Sequence, residues 1–159
     1  MSDMKKKIVY FDMDNVLVNF QSGIDQTPIE VQKEYEGHLD DVPGIFSKMK
    51  PNKEMCELFN KMADDTRYDV YILSTSPWDN PTAASEKVEW VKKYLPLYGY
   101  KRLILSHHKH LNVGDYLIDD RTKNGAGEFS GELLQFGTNW ESGVEGPYPN
   151  WQSILDYLL

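Results

Sequence analysis

The chain has 159 residues, 40% of them hydrophobic, which suffices for one compact domain but not for two full ones. Its formal net charge of −8 comes from 25 acidic and 17 basic residues, and no window concentrates the basic ones. This charge argues against a groove for polymeric nucleic acid, whereas a small anionic substrate held with a divalent cation remains compatible with it.

The sequence predicts neither a membrane segment nor a signal peptide. Lysines at positions 5–7 precede an apolar run, but Asp12 and Asp14 end that run far too early for a signal peptide. No other run is long enough to span a bilayer. The single cysteine, Cys56, lies among apolar residues, and we interpret it as a core residue, with a reactive thiol as the alternative. We therefore expect a cytoplasmic protein.

The first part of the chain combines a predicted strand with a segment that carries helix and turn signals. Residues 8–11 form an unbroken apolar run rich in β-formers, which predicts a central strand covered on both faces. In the segment 20–50, the Thr-Pro pair at 27–28 favours a helix start, Gly37 a helix end and residues 40–44 a turn. This segment is a candidate cap or lid.

After this segment, helical and strand patterns alternate. Further strands are predicted at residues 70–73, 103–105, 116–118 and 133–136. Strands alternating with helices predict an α/β fold, a three-layer sandwich around a mostly parallel Rossmann-like sheet. Apolar residues at helical spacing predict the intervening helices, namely Met55, Leu58, Phe59 and Met62, then Val88, Val91 and Leu95, and finally Trp151, Ile154, Leu155 and Leu158.

The residues directly after the predicted strands are polar, and in parallel sheets ligands bind beyond these carboxyl ends. Asp12 and Asp14 follow the first strand and project to the same side, while Asp119 and Asp120 follow the fourth. An isolated Asp-x-Asp would be interpreted as solvated loop carboxylates. Four converging carboxylates, however, repel by on the order of 4 kcal/mol per pair at ~4 Å, so we expect a bound cation. Oxygen-only ligands favour Mg²⁺.

Two further strand ends carry groups suited to a phosphoryl ligand. Thr75 offers a hydroxyl donor and Lys109 a fixed positive charge. Each alone is weak evidence, because such a threonine is commonly a cap or turn residue and such a lysine a solvated surface charge. The order Asp-x-Asp, Thr, Lys, Asp-Asp, each at a strand end, predicts phosphoryl chemistry.

This order of motifs resembles the haloacid dehalogenase (HAD) superfamily of phosphohydrolases, and within it the 5'(3')-deoxyribonucleotidases. The resemblance implies a HAD-like core in residues 1–19 and 51–159, with residues 20–50 as a small helical cap inserted after the first strand. It also implies a Mg²⁺-dependent hydrolase that dephosphorylates nucleoside monophosphates through an aspartyl-phosphate. The matching segments are 12–20 (DMDNVLVNF), 75–77 (TSP), 86–94 (EKVEWVKKY), 117–121 (LIDDR) and 151–155 (WQSIL).

The resemblance also implies roles for individual carboxylates. Asp12 is the nucleophile and a metal ligand. Asp14 lends its backbone carbonyl to Mg²⁺ and its side chain to acid–base chemistry. Asp120 is similar to the third protein ligand of the metal, and Asp119 to a supporting neighbour.

On the substrate side, Thr75, Ser76 and Lys109 match phosphate-contacting positions of that family. Lys87 matches a lysine near the substrate, with a solvated helix lysine as the alternative. Phe20 corresponds to an aromatic that stacks near the base, with a plain core phenylalanine as the competing interpretation.

The sequence departs from the family pattern at particular positions. Asn15 stands where the family usually has glycine, and asparagine tolerates unusual backbone angles. The cap is short, which leaves the base preference open. His107 stands where the family has arginine; with His108 and His110 it suggests a transition-metal site, but the placement of Lys109 favours an ordinary polar loop.

Two other functions remain open at this stage. A phosphatase for another small phosphoester, such as a sugar phosphate, has the same four motifs. A phosphoacceptor signalling domain uses similar groups without turnover, but its acidic pair ends the first strand and its acceptor aspartate stands alone after a later one. The order in this chain favours the hydrolase, and the sequence predicts no oligomeric state.

Overall fold

The computed structural model describes residues 5–139 and 141–159, and a parallel β-sheet forms its centre. The strands are Lys7–Phe11 (β1), Val18–Asn19 (β2), Lys50–Pro51 (β3), Tyr68–Ser74 (β4), Leu103–Leu105 (β5), Tyr116–Asp119 (β6) and Glu132–Gln135 (β7). The five strands of the sheet run in the order β5-β4-β1-β6-β7 with every pair parallel, so β1 is central, as its apolar run predicted. The α/β prediction is confirmed.

The helices fall in the stretches between these strands. The α-helices are Phe20–Asp25 (α1), Ile29–Glu34 (α2), Lys53–Asp64 (α3), Ala83–Tyr94 (α4) and Trp151–Leu158 (α5); short 3-10 helices span Leu39–Asp41, Ile45–Lys48, Lys109–Leu111 and Ala126–Glu128. Helix α2 begins directly after the predicted Thr-Pro start, and the predicted turn at 40–44 includes the end of a 3-10 helix. Across the described ranges, no helix is both long and apolar enough to cross a membrane.

The two faces of the sheet are covered unequally. Val9 and Phe11 of β1 pack into a large core with α3, α4 and α5, whereas Tyr10 points to the opposite face. There Ala126 and Phe129, in and beside a 3-10 helix, form a small cluster. The connections from β1 to β4 and from β4 to β5 contain the helices α3 and α4, whereas the connection from β6 to β7 contains a short 3-10 helix. Right-handed crossovers place them on opposite faces, because these connections run in opposite directions across the sheet. The second outer layer is consequently thin.

The helix predicted from Val88, Val91 and Leu95 forms as α4, with Val91 and Leu95 buried and Val88 as the exception. Val88 is 39% exposed, and the buried side consists of Ala83, Lys87, Trp90 and Val91. The prediction at Val88 was wrong because apolar spacing does not register a lysine that is buried through polar partners.

The 20–50 segment is tied to the rest of the molecule at its ends and along one side. Strands β2 and β3 pair antiparallel at its two ends. The Asn80 side chain donates hydrogen bonds to the carbonyls of Asp40 (2.9 Å) and Val42 (3.1 Å). In the second half of α4, the Trp90 indole donates to the carbonyl of Met49 at 2.9 Å. The segment therefore lies against α4, beside the carboxyl end of β4.

Candidate active site

Asp12 and Asp119 meet at the carboxyl ends of the neighbouring strands β1 and β6. The register of these strands is fixed in part by the amide of Asp12, which donates to the carbonyl of Ile118 at 2.9 Å. The Lys109 ammonium lies between the two carboxylates and donates to Asp12 Oδ1 at 3.0 Å and Asp119 Oδ2 at 2.6 Å. All three side chains are buried. Burial opposes the charge of Lys109, but the two carboxylates outweigh it and raise its pKa, so the lysine stays protonated.

A glycine contact holds the loop that carries this lysine. The amide of Lys109 donates to the carbonyl of Asn124 at 2.7 Å, which ties the loop after β5 to the loop after β6. Gly125 follows with φ of +84°, and a Cβ atom on it would lie 2.3 Å from Nδ1 of His110. Both the backbone angle and the close approach require glycine at this position.

Asp120 has two unsatisfied oxygens, and Asp14 has one, Oδ1. Both carboxylate oxygens of Asp120 are buried, and neither accepts a hydrogen bond from any part of the chain that the structure describes. Burial, with Asp12 and Asp119 next in importance, raises the pKa of Asp120 to about 9. Burial and Asp12 likewise raise the pKa of Asp119 to about 7. Packing these carboxylates together is unfavourable unless a cation compensates their charge.

The acidic cluster has the chemistry of a site for a hard divalent cation. Asp12, Asp119 and Asp120 each place one oxygen within 4.8 Å of the others. Both oxygens of Asp119 are already engaged, Oδ2 by Lys109 and Oδ1 by the backbone amide of Arg121 at 3.0 Å. Both oxygens of Asp120 remain open to an ion, and Lys109 engages only Oδ1 of Asp12. This donor set fits Mg²⁺, which prefers a few carboxylate oxygens alongside water and substrate phosphate.

Asp14 lies beside the cluster and is held by Lys87. The Lys87 ammonium donates to Asp14 Oδ2 at 3.3 Å, to Ser74 Oγ at 2.7 Å and to the carbonyl of Thr75 at 2.8 Å. Burial is the main cause that raises the pKa of Asp14, and Lys87 partly opposes it. The next residue, Asn15, has φ of +62°, a left-handed conformation that glycine adopts most readily and that asparagine tolerates.

The structure excludes one of the two interpretations of Lys87, and its place near the substrate stays a prediction. Its side chain is 0% exposed, so it is not a solvated helix lysine. Nor does it line the pocket where a phosphate would enter. Its contacts join α4 to Asp14 and to the end of β4, and its ammonium lies 4.6 Å from the ring centre of Phe46 in the 20–50 segment.

Above the carboxylates lies an open pocket with about 390 Å³ of empty space. The sequence analysis named five of the residues that line it, Asp12, Asp14, Thr75, Lys109 and Asp119. The other five had no predicted role in the site: Asp40, Pro77, Arg121, Lys123 and Asn124. Arg121 and Lys123 directly follow the Asp-Asp motif and could have been found from that position. Asp40 had no comparable signal, because folding of the 20–50 segment brings it to the pocket.

The Thr-Ser-Pro segment reaches the pocket in part. Thr75 lines it, and its hydroxyl donates to the carbonyl of Ser106 at 2.8 Å. Ser76 is partly buried and does not line it. Phe20 also stays away from the pocket; its ring packs edge-on against Phe46 at 6.0 Å, a core contact, and the base-stacking role stays a prediction.

The histidines lie outside the acidic cluster. His107 packs its ring edge-on against Trp78, which is 87% exposed beside the pocket residue Pro77, with ring centres 5.9 Å apart. His108 and His110 are exposed, and their ring centres lie 6.0 Å apart. Within residues 5–139 and 141–159, the groups arranged to share a metal ion are Asp12, Asp119 and Asp120; the interpretation of the histidine loop as an ordinary polar loop stays a prediction.

Comparison with a solved structure identifies the fold. A haloacid dehalogenase-like family hydrolase from Streptococcus pneumoniae superposes with a TM-score of 0.51 at 15% sequence identity, covering 96% of this chain and 91% of that one. The chain therefore has the HAD-like fold, with carboxylates and a lysine at the strand ends where that fold binds its ligands.

Sequence comparison identifies the family within this fold. The model of the family described as "5' nucleotidase, deoxy (Pyrimidine), cytosolic type C protein" matches residues 28–159. A Vibrio phage KVP40 protein named "Putative 5'(3')-deoxyribonucleotidase" is 55% identical over 153 residues, which is 96% of this chain and 85% of the relative. The chain belongs to this 5'(3')-deoxyribonucleotidase family.

More distant relatives carry the same name. A Staphylococcus aureus (strain Mu50) protein, again named "Putative 5'(3')-deoxyribonucleotidase", is 31% identical over 141 residues, 76% of this chain and 77% of the relative. The human "5'(3')-deoxyribonucleotidase, cytosolic type" is 25% identical over 140 residues, 71% of this chain and 70% of that protein. The resemblance stated from the motifs is thereby confirmed.

Proposed function

We propose that this chain is a Mg²⁺-dependent nucleotidase that removes the phosphate from deoxyribonucleoside monophosphates through an aspartyl-phosphate on Asp12. The observation that carries the proposal is the buried charge arrangement at the ends of β1 and β6. Lys109 is fixed between Asp12 and Asp119, while Asp120 keeps two buried oxygens open to a cation. Family membership favours this hydrolase over a phosphoacceptor domain.

The metal would be held by Asp12, Asp120 and the backbone carbonyl of Asp14. When bound, it supplies positive charge that neutralises phosphoryl oxygens and lets the carboxylates remain ionised together. The unsatisfied oxygens of Asp120 support this assignment, because no hydrogen bond from the described chain reaches them and the charge of Arg121 offsets the effects of burial, Asp12 and Asp119 only in part. Asp119, whose oxygens already accept from Lys109 and the Arg121 amide, supports the site by orienting the lysine.

The first chemical step belongs to Asp12. Its carboxylate oxygen attacks phosphorus, forming an acyl-phosphate bond as the bond from phosphorus to the ester oxygen breaks. Lys109 and Thr75 line the pocket. The third N–H of Lys109, and the Thr75 hydroxyl once it turns away from the Ser106 carbonyl, would balance the charge on the non-bridging oxygens. Lys109 suits this role because it stays protonated and is held by two carboxylates rather than by a flexible surface contact.

Asp14 provides the proton transfers. It gives a proton to the departing alcohol, and as a carboxylate it then takes one from the water that attacks the aspartyl-phosphate, which regenerates Asp12 and releases orthophosphate. A raised pKa of Asp14, caused mainly by burial, suits the first of these tasks. Lys87 keeps the carboxylate in place from the side away from the pocket.

We further propose the division into a HAD-like core, residues 1–19 and 51–159, and a cap, residues 20–50. The β2–β3 pairing at the two ends of the cap and its hydrogen bonds to Asn80 and Trp90 support this division. The substrate would be a small nucleotide. A cytoplasmic location remains a prediction from the sequence.

The test is phosphate release from deoxy- and ribonucleoside 5'- and 3'-monophosphates, sugar phosphates and an aryl phosphate, each with Mg²⁺ or EDTA. We expect Mg²⁺-dependent turnover concentrated on deoxyribonucleotides, lost in Asp12→Asn and retained in Asp25→Asn, which removes an exposed carboxylate from α1. Turnover of sugar phosphates alone would keep the mechanism and reject the nucleotidase. Stable phosphorylation without turnover would reject both in favour of a phosphoacceptor.

A further inference from the structure

Asp40 is the contribution of the cap to the pocket. Among the described residues that line it, Asp40 alone comes from the 20–50 segment. Its carboxylate is partly buried at the middle of the 3-10 helix Leu39–Asp41.

The core fixes the backbone of Asp40 at this place. Asn80, 3% exposed, donates one hydrogen bond to the carbonyl of Asp40 itself and another to that of Val42. The loop that carries Asn80 begins at Thr75 and Pro77, which line the same pocket. The position of the Asp40 carboxylate over the pocket is therefore set by contacts with the core and not by a free loop.

A carboxylate at this place does not serve the phosphate. A phosphate dianion is repelled by a carboxylate at close range, by on the order of 4 kcal/mol per pair of unit charges at ~4 Å and an effective dielectric of ~20. The positive groups suited to the phosphate, Lys109, Arg121 and Lys123, come from the core side of the pocket. An ionised carboxylate can only accept hydrogen bonds from a neutral ligand group. Its natural partner is a hydroxyl or N–H group in the part of the substrate that points away from the phosphate.

We propose that Asp40 is a specificity-determining residue that accepts a hydrogen bond from the alcohol portion of the substrate, a sugar hydroxyl or an N–H group of the base. The inference rests on the proposed nucleotidase function and adds which residue of the cap recognises the nucleoside. A polar group built to bind such a donor discriminates strongly against substrates that lack it.

A competing role for Asp40 is to orient Arg121. Arg121 lines the same pocket, and its positive charge lowers the pKa of Asp40 against the raising effects of burial and Asp41. An orienting role acts through the phosphate end and would affect every phosphoester alike. A recognition role changes only the preference between substrates.

The experiment compares three variants on three substrates. Asp40→Ala removes the acceptor, and Asp40→Asn keeps one acceptor oxygen at the same size. Asp41→Ala is the matched control, since Asp41 is the next residue of the same 3-10 helix, lies outside the pocket lining and contacts His38 at 3.2 Å. The substrates are thymidine 5'-monophosphate, its 2',3'-dideoxy analogue and p-nitrophenyl phosphate, which has neither sugar nor base.

We expect Asp40→Ala to lower the ratio of kcat/KM for thymidine monophosphate to that for p-nitrophenyl phosphate at least tenfold. Asp40→Asn should lower it less, and Asp41→Ala should leave it within twofold. If a sugar hydroxyl is the donor, the dideoxy analogue already loses the preference with the unsubstituted protein. If the base is the donor, Asp40→Ala lowers kcat/KM for the dideoxy analogue as much as for thymidine 5'-monophosphate.

The inference is overturned if kcat/KM falls equally for all three substrates, if the ratio does not change, or if Asp41→Ala changes it equally. If Asp40→Ala does not fold stably, Asp40→Asn tests the inference instead. An unchanged ratio of kcat/KM for thymidine monophosphate to that for p-nitrophenyl phosphate in Asp40→Asn would then count against the inference. Failure of the proposed function looks different, because the unsubstituted protein would then hydrolyse no nucleotide.

Discussion

Lys87 shows how one buried side chain can organise a site without facing its ligand. Its ammonium has oxygen acceptors on Asp14, Ser74 and Thr75 and a flanking aromatic ring on Phe46. Burying an ammonium is unfavourable unless such partners surround it. The helix, the cap and the end of β4 are therefore joined at a single atom.

We predict that Lys87→Met destabilises the protein by on the order of 3 kcal/mol, because removing the ammonium from its ion pair leaves the mostly buried Asp14 carboxylate without its partner. Turnover should fall at least tenfold, with kcat more affected than KM, because Asp14 loses its fixed orientation. Chemical denaturation and steady-state kinetics measure the two effects.

The control for this variant is Lys92→Met on the same helix, since that lysine is 68% exposed and its ion pair is with exposed Glu89. It should change neither stability nor kcat measurably. If Lys87→Met mainly raised KM, with kcat retained, Lys87 would contact substrate and our interpretation of its contacts would be wrong.

Cys56 illustrates the opposite case, a reactive group made inert by burial. It is 8% exposed in α3, and burial raises the pKa of its thiol to about 12. The thiolate is the reactive form, so we predict no reaction of the folded protein with a disulfide reagent such as DTNB at neutral pH. In denaturant, one thiol per chain should react. Rapid labelling of the folded protein would restore the alternative of a reactive cysteine.

At the scale of elements, the site depends on how two loops meet. The loop after β5 carries Lys109, the loop after β6 carries Asn124 and Gly125, and they join through the 2.7 Å hydrogen bond to the Asn124 carbonyl. Neither loop is a regular element over most of its length. The close approach of the two loops at Gly125, rather than local helix or strand propensity, fixes where the Lys109 ammonium lies between β1 and β6.

We predict that Gly125→Ala lowers both stability and turnover, because its Cβ would overlap His110 and approach the Lys109 backbone amide to 2.9 Å. Gly37→Ala is the matched control: Gly37 has φ of +86° against +84° for Gly125, but a Cβ there meets nothing within 4 Å. Both variants suffer backbone strain of about 1 kcal/mol.

Only Gly125→Ala should lower the free energy of unfolding by more than this strain, and only Gly125→Ala should reduce kcat. Thermal melting and the phosphatase assay compare the two variants. Equal effects of the two would mean that backbone strain alone matters and that the loop contact does not position Lys109.

The electrostatics of the acidic cluster belong to the whole molecule, because its members come from separate strands and destabilise the fold together. Without metal, Asp120 in the folded state has a pKa of about 9, against an ordinary value near 4. Between these values the folded protein holds a proton that the unfolded chain has released. Stability therefore falls as the pH rises through this range.

We predict that the melting temperature of the EDTA-treated protein falls between pH 5.5 and 8.5, and that Asp120→Asn flattens this slope. Mg²⁺ should raise the melting temperature more at pH 8.5 than at pH 5.5, since a cation favours the ionised carboxylates. Asp120→Asn should lose most of the Mg²⁺ effect, whereas Asp25→Asn should behave like the unsubstituted protein. A Mg²⁺ effect that is undiminished in Asp120→Asn would contradict the proposed ligand set.

The sequence by itself determined the order of the strands along the chain, the central position of β1 and the family. These features are local, because an apolar run marks a buried strand and a polar residue directly after it lies at the edge of the sheet. Asp12, Thr75, Lys109 and Asp119 could therefore be predicted to converge from their positions alone.

Only the tertiary structure decided which side of α4 is buried, how Asp119 differs from Asp120, and that Asp40 reaches the pocket. Each of these outcomes depends on partners distant in sequence: Asp14 for Lys87, Lys109 for Asp119 and Asn80 for the backbone of Asp40. Hydrophobic periodicity records where apolar side chains recur. A charged group is buried or aimed by the polar atoms that surround it, and those are assembled only when the chain has folded.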